Sequence, residues 1–151
     1  MTEPAPMATP TPAAARNPTT MILGLVGGAL IVVGALFLDW LSGVASKGTE
    51  AGVSIFWSTD PAADPSFFAS AGFVVLIIGA ITLVAAAMGR GGWLIYGGVL
   101  GVLAYVLVLI SFYRLEGADL GIGDAGMGLW AILVGGVLAI VAGAMGRGKA
   151  Y

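Results

Sequence analysis

The segment MGLWAILVGGVLAIVAGAM, residues 127–145, carries no charged side chain. A helix needs about 20 predominantly apolar residues to cross the hydrocarbon core of a bilayer. Three further runs are similarly apolar, so the chain is predicted to cross a membrane four times, at residues 21–40, 66–88, 93–113 and 127–146. The predicted fold is an all-α membrane protein, a bundle of four transmembrane helices over residues 21–148.

The overall composition agrees with a lipid solvent and argues against several classes of function. Hydrophobic residues make up 59% of the 151 residues and charged residues 9%, whereas soluble domains carry about 25% charged residues. The chain contains no Cys and no His, so it lacks the commonest metal ligand and general base. We expect no enzymatic activity, no catalytic, cofactor or metal site and no nucleic-acid partner, and the sequence identifies no small-molecule substrate.

The charges between the apolar runs separate by sign. One set of helix ends and connections holds four basic residues and one acidic residue, and the other set holds two basic and seven acidic residues. Short basic segments stay in the cytoplasm. Both termini are therefore predicted to be cytoplasmic, with the loops at residues 41–65 and 114–126 outside.

Residues 1–20 are rich in Pro, Ala and Thr and predict a disordered cytoplasmic tail. At its end, Asn17 and Pro18 match the cap and the first-turn proline of helix 1. A secretory signal peptide, with a weak cleavage site at residues 44–46, is the alternative interpretation of this end of the chain.

An internal repeat relates the second and fourth apolar runs. Residues 83–91 and 140–148 share a pattern that ends in Met-Gly-Arg-Gly, and the alignment extends backward without gaps to pair Gly79 with Gly136. The pattern predicts two similar hairpins in the same orientation, with a glycine ending helices 2 and 4. Chance similarity between two helix ends rich in Ala and Gly is the alternative.

Small residues recur at four-residue spacing on helices 1, 3 and 4, which lets helix backbones approach closely inside a membrane. These candidate contact residues are Gly24, Gly28, Gly97, Gly101, Gly135 and Gly143. We expect them to lie mainly within the bundle, with contact to another subunit as the alternative. At the inner surface, Arg90 and Arg147 are expected to bind lipid phosphates.

The outer end supplies the remaining candidates. Asp39 is expected to face the bundle and to pair with Arg114 or accept hydrogen bonds from loop amides, because an unpaired carboxylate near lipid is costly. A proton or cation site at Asp39 is the alternative. Trp40 is assigned to the interfacial aromatic belt. Phe56 and Trp57 end a short apolar stretch that is expected either on the membrane surface or on a partner.

Several segments together resemble a group of known proteins. FLDWLS at residues 37–42, GMGLW at residues 126–130 and GGVLA at residues 135–139 are similar to stretches of the small four-helix membrane proteins common in actinobacteria. The resemblance covers most of residues 21–148 and implies a bacterial plasma membrane and no chemistry. Proteins of this shape also occur as accessory subunits of larger respiratory assemblies.

The expected function is that of a non-enzymatic structural or accessory subunit. It would bind a membrane-protein partner, or further copies of itself, through its small-residue helix faces and the first external loop, with membrane lipid around it. The alternative is a small transporter, channel or pore-forming oligomer. Polar side chains inside the apolar runs are too few to line a path through one copy of the chain.

Overall fold

The computed structural model describes residues 5–9, 17–41, 44–56, 66–116, 123 and 125–147. Most of these residues are helical. The four α-helices are α1, Pro18–Leu36; α2, Ala71–Met88; α3, Gly91–Glu116; and α4, Met127–Arg147.

Short elements connect α1 to α2. Two strands, β1 (Asp39–Leu41) and β2 (Val44–Lys47), pair antiparallel, and three 3-10 turns follow at Gly48–Glu50, Val53–Phe56 and Phe67–Ala69. Helix α1 was expected to continue to residue 40, but it ends at Leu36. Asp39 and Trp40 therefore lie in an extended segment and not at the end of a helix.

Three of the described helices are long and apolar enough to cross a membrane: Pro18–Leu36, Gly91–Arg114 and Met127–Arg147. The apolar part of α2, Ala71–Ala87, is shorter. Its whole length of 18 residues corresponds to about 27 Å at 1.5 Å per residue. Helix α2 was expected to begin at residue 66, but the Phe67–Ala69 turn occupies that position.

The first turns of α1 and α2 are capped by side chains. Asn17 Oδ1 accepts a hydrogen bond of 3.2 Å from the Thr19 amide, and Pro18 occupies the first turn, as the sequence predicted. At the start of α2, the Ser70 hydroxyl accepts a hydrogen bond of 3.1 Å from the Phe73 amide. Such caps satisfy backbone amides that have no partner within the helix.

The two Met-Gly-Arg-Gly sequences have different structures. Gly89 ends α2 in the left-handed conformation with φ of 68°, which glycine adopts without steric penalty. Its counterpart Gly146 lies inside α4, which extends to Arg147. The prediction of a terminating glycine is confirmed for α2 and wrong for α4, where Gly146 lies within the helix.

The helices run alternately up and down and form a four-membered ring. Helix α1 packs along α2 and α4, helix α3 packs along α4 and less extensively along α2, and α1 and α3 meet only diagonally. One end of the bundle carries the strands and turns, and the other carries the Gly89 turn and Arg147.

Residue size separates the inside of the bundle from the outside. The inward faces of the helices are built mainly from Gly, Ala and a few larger residues such as Ile31, Val75 and Ile132. Large apolar side chains point outward from all four helices, among them Ile22, Val26, Ile77, Val84, Leu100, Leu103, Val134 and Val137. Small inward residues permit close helix approach, as in membrane bundles.

Candidate functional site

The six candidate glycines all lie buried inside the bundle. A Cβ atom added to Gly135 would lie 2.5 Å from the carbonyl oxygen of Gly27, and one added to Gly143 would lie 2.5 Å from the carbonyl oxygen of Gly91. These distances leave no room for a side chain. The small-residue faces therefore join helix to helix within the chain.

Contacts between helices recur in pairs. Gly28 of α1 packs on Leu83 of α2, and Gly98 of α3 packs on Ile140 of α4, with a Cβ at either glycine lying 2.7–2.8 Å from its partner's Cγ or Cγ1. Leu83 and Ile140 are the residues that the sequence repeat aligns. Both contacts thus join a glycine of one helix to a branched residue of the next helix along the chain.

Two more contact pairs follow the same correspondence. A Cβ at Gly79 would meet Val32, and one at Gly136 would meet Val102. Val32 and Val102 are separated in the sequence by the same number of residues as Gly28 and Gly98. Gly79 and Gly136 are likewise separated by the same number as Leu83 and Ile140. A third pair crosses between the hairpins, joining Gly27 to Ala139 and Gly97 to Thr82, again with these offsets.

The correspondence is broken at one interface. Helix α1 packs closely on α4, whereas α3 packs less extensively on α2. Helix α4 presents Gly135 and Ala139 to α1, and the aligned positions of α2 carry the larger Ile78 and Thr82. Helices with small residues at the contact can approach more closely, and α1 and α4 come into backbone contact at Gly27 and Gly135.

The end of the bundle that holds the strands is closed by Trp40. Its side chain is 1% exposed, and its indole Nε1 donates a hydrogen bond of 2.9 Å to the Gly34 carbonyl. Gly48 packs directly on the ring and has no space for a Cβ there. The assignment of Trp40 to an interfacial belt is wrong, because the chain turns inward after α1 and the indole completes the core.

The first loop also packs on this end of the bundle. Ile55 is 1% exposed, and its carbonyl accepts a hydrogen bond from the Ser111 hydroxyl of α3. Phe56 is half-buried and packs against the same core cluster. This part of the apolar stretch is therefore used within the chain. Trp57, its other candidate residue, lies outside the described residues.

Asp39 and Arg114 are both exposed. Asp39 lies opposite Lys47 in the β1–β2 ladder, and within the described ranges no ion pair joins Asp39 to Arg114. The expectation that Asp39 faces the bundle is wrong, because α1 ends before Asp39 and the alternation of the strand places Trp40 inside and Asp39 outside.

The buried polar side chains are few. Thr82 Oγ1 donates to the Ile78 carbonyl over 2.8 Å, and Ser70 Oγ donates to the Phe67 carbonyl over 2.6 Å. Thr20 Oγ1 is buried near the Arg147 end of the bundle without a protein partner. No group of three or more metal-ligating side chains occurs among the described residues, and the hydroxyls of Thr82, Ser70 and Ser111 donate to backbone carbonyls.

The opposite end of the bundle carries the two arginines of the repeat. Arg90 and Arg147 are both exposed. The guanidinium of Arg147 reaches across to the start of α3, where its Nη2 would lie 3.2 Å from a Cβ placed on Gly92. Both cations therefore stand at the same end of the bundle, beside the first turn of α3.

Comparison with protein-family models, with curated proteins and with solved structures finds no match for this chain.

Sequence reasoning missed the residues that hold the closed end together. Ser111, Gly126 and Ala125 contact the first loop and β1: the Gly126 amide donates to the Trp40 carbonyl over 2.7 Å, and Ala125 bridges to Leu41. A glycine and an alanine just before a helix carry no distinctive signal. Only the apolar character of residues 53–56 pointed to a buried contact.

Proposed function

We propose that this chain is an integral protein of a bacterial plasma membrane that crosses the bilayer four times. The observation that carries the proposal is the distribution of size and polarity: every helix exposes large apolar residues and buries small ones. In water such a surface would be a severe liability, whereas in lipid it is the solvated face.

The fourth crossing rests on α2. Its 18 residues contain no charge, and their length of about 27 Å is close to the core thickness of about 30 Å. Phe67 and Phe68 lie exposed just before it, where aromatic side chains suit the interface. Both termini, Arg90 and Arg147 would then lie on the cytoplasmic side, and Asp39 and Glu50 on the other.

Two similar hairpins are the arrangement that best accounts for the paired contacts. Helices α1 and α2 would correspond to α3 and α4 by rotation about an axis near the membrane normal. The contacts of Gly79 with Val32 and of Gly136 with Val102 support this relation, as does the aligned position of Leu83 and Ile140.

Within the membrane, the chain would serve as a structural or accessory subunit. The described interior is tightly packed and its bonded hydroxyls serve nearby carbonyls, which disfavours a solute path through one copy. Its small-residue faces and Ile55 are used within the chain. A partner protein, or a second copy, would therefore meet the outward apolar faces.

Membrane insertion and orientation are tested with two matched glycine-to-cysteine variants. Gly123→Cys has open space around its Cβ, and Gly146→Cys has only an ordinary contact of 3.4 Å with Thr20. The protein should resist alkaline carbonate extraction. In intact cells an impermeant maleimide should label Gly123→Cys alone, and permeabilised cells should show both labels. Labelling of Gly146→Cys in intact cells would overturn the orientation.

The accessory role is tested by photo-crosslinking in native membranes. A photoreactive amino acid is placed at one outward position on each helix, namely Val26, Ile77, Leu103 or Val137. If positions on only one or two adjacent helices give a protein adduct, and that adduct has a single size, the chain has a fixed neighbour. The mass of the adduct shows whether this neighbour is a second copy or another protein. Lipid adducts alone from all four positions would contradict the accessory role and leave membrane insertion standing.

A further inference from the structure

A groove of about 360 Å³ opens on the outer surface between α2 and the start of α3. Its apolar wall includes Ile81, Val84 and Met88 of α2, Trp93 stands at the start of α3, and Arg90 lies in the turn between the helices. Pockets that hold small ligands typically have volumes of about 300–1,000 Å³. The groove is therefore large enough to hold part of a ligand.

The groove has a charged mouth and an apolar floor. From Arg90 it follows α2 for about two turns, roughly 11 Å of helix length between Met88 and Ile81. In a bilayer, Arg90 would stand at headgroup level, and the apolar part would lie within the half-thickness of about 15 Å of one leaflet. A phospholipid has the same arrangement, because a charged phosphate at headgroup level is followed by an apolar acyl chain that extends into the leaflet.

The groove arises where the two hairpins differ. At the positions aligned with Gly135 and Ala139 of α4, α2 carries the larger Ile78 and Thr82, and α3 packs less extensively on α2 than α1 packs on α4. Trp93 is 55% exposed, but its counterpart in the first hairpin, Leu23, packs against a buried cluster that includes Leu94 and Ala142. Trp93 at the start of α3 is thus more exposed than Leu23, its aligned residue near the start of α1.

Charge identifies the class of ligand. Arg90 and Arg147 stand at this end of the bundle, and none of the described residues at this end is acidic. Trp93 and Tyr96 form an exposed edge-to-face pair with ring centroids 6.5 Å apart, and such amphipathic rings favour the headgroup region. Basic pockets between helices on the cytoplasmic side are suited to anionic lipid headgroups.

We propose that this groove binds one anionic phospholipid of the inner leaflet, with the phosphate on Arg90 and an acyl chain along Ile81, Val84 and Met88. This proposal rests on the membrane insertion proposed above. It adds a defined lipid site to the general contact with lipid that the outward apolar faces would make.

Native mass spectrometry of the full chain in mild detergent tests the site, with phosphatidylglycerol as the anionic probe and phosphatidylcholine as the neutral one. The unaltered chain should retain one phosphatidylglycerol preferentially. Arg90→Gln should weaken that adduct about fivefold, the effect of one basic residue near an anionic surface. Arg147→Gln is the matched control, because Arg147 does not line the groove, and it should have a smaller effect.

A second pair of variants tests the apolar floor. Val84→Trp should fill the groove and remove the adduct, whereas Val141→Trp, at the aligned exposed position of α4, should leave it. Equal losses from both arginine variants, equal retention of phosphatidylcholine, or a retained adduct in Val84→Trp would overturn the site. Conversion of a dimer to a monomer by Val84→Trp would instead identify a second copy as the occupant. Alkaline carbonate extraction of the same variants shows whether each is still inserted in the membrane, so a lost lipid site can be distinguished from a failure of membrane insertion.

Discussion

Ile31 and Gly101 contact each other diagonally across the bundle, near the middle of α1 and α3. A Cβ on Gly101 would lie 3.3 Å from Cδ1 of Ile31, which is fully buried. The two residues are separated in the sequence by the same number of positions as Gly28 and Gly98. One large and one small residue therefore share the space where two residues of equal size would leave a gap or collide.

This relationship predicts strong coupling between substitutions at the two positions. Ile31→Ala should lower the free energy of unfolding by about 2–5 kcal/mol, because it opens a cavity. Gly101→Ala should be more favourable in the Ile31→Ala background than in the unaltered chain, by about 0.5–2 kcal/mol, because the added methyl group then enters free space. A double-mutant cycle in detergent, with unfolding followed by circular dichroism, measures the coupling. Additive effects would show that the two residues do not share a space.

The close contact of α1 with α4 makes Gly135 intolerant of even a methyl group. Gly135→Ala would place its Cβ 2.5 Å from the Gly27 carbonyl oxygen, so the helices must separate, at a cost of about 1–3 kcal/mol. Gly146→Ala is the control on the same helix, since its Cβ finds an ordinary contact of 3.4 Å. It should be neutral or stabilise by up to about 1 kcal/mol through helix propensity. Thermal unfolding of both variants in the same detergent tests this prediction. Equal unfolding midpoints for the two variants would refute the close contact between α1 and α4.

Trp40 should be the tryptophan whose loss harms the fold most among those that the structure describes. Trp40→Phe keeps an aromatic ring but leaves the Gly34 carbonyl without its indole donor. We expect a loss of about 1–3 kcal/mol and a marked change in near-ultraviolet circular dichroism. Trp93→Phe, at a half-exposed ring, should alter stability by about 0.5 kcal/mol or less. A similar loss from both variants would contradict the inward position of Trp40.

Asp39 and Arg114 should behave as independent surface charges. Both are exposed and unpaired with each other, so Asp39→Asn and Arg114→Ala should each change the free energy of unfolding by about 0.5 kcal/mol or less. Their effects should add in the double variant. A coupling energy above about 1 kcal/mol in the same unfolding assay would restore the ion pair that the sequence suggested.

Several elements of the fold could be predicted from the sequence because their signals are local. The uncharged apolar runs locate the helices, Asn17 and Pro18 mark the start of α1, and Gly89 ends α2 in the conformation that glycine favours. The end of α1 could not be predicted this way. Phe37 and Leu38 are as apolar as the helix before them, and the chain leaves the helix because Trp40 gains a buried position beside Gly34 and Gly48.

The candidate residues likewise fall into two groups: those that a local sequence pattern identified and those whose position depends on tertiary contacts. The sequence identified the spacing of the small residues and the repeat around Leu83 and Ile140, since both are patterns along the chain. It did not indicate that Asp39 would point outward or that Ile55 would be buried beside Ser111. Nor did it indicate that α3 would pack less extensively on α2 than α1 packs on α4. These features depend on which side chains meet from distant segments.

By itself, the sequence determined that four apolar helices would form and that their small residues would repeat at helical spacing, because hydrophobicity and periodicity are properties of neighbouring residues. Only the tertiary structure decided which small residue meets which partner, which aromatic ring turns inward, and where a groove opens on the outer surface. Packing of this kind is a sum over contacts among all four helices at once, and it brings α1 and α4 into backbone contact while α2 and α3 pack less extensively.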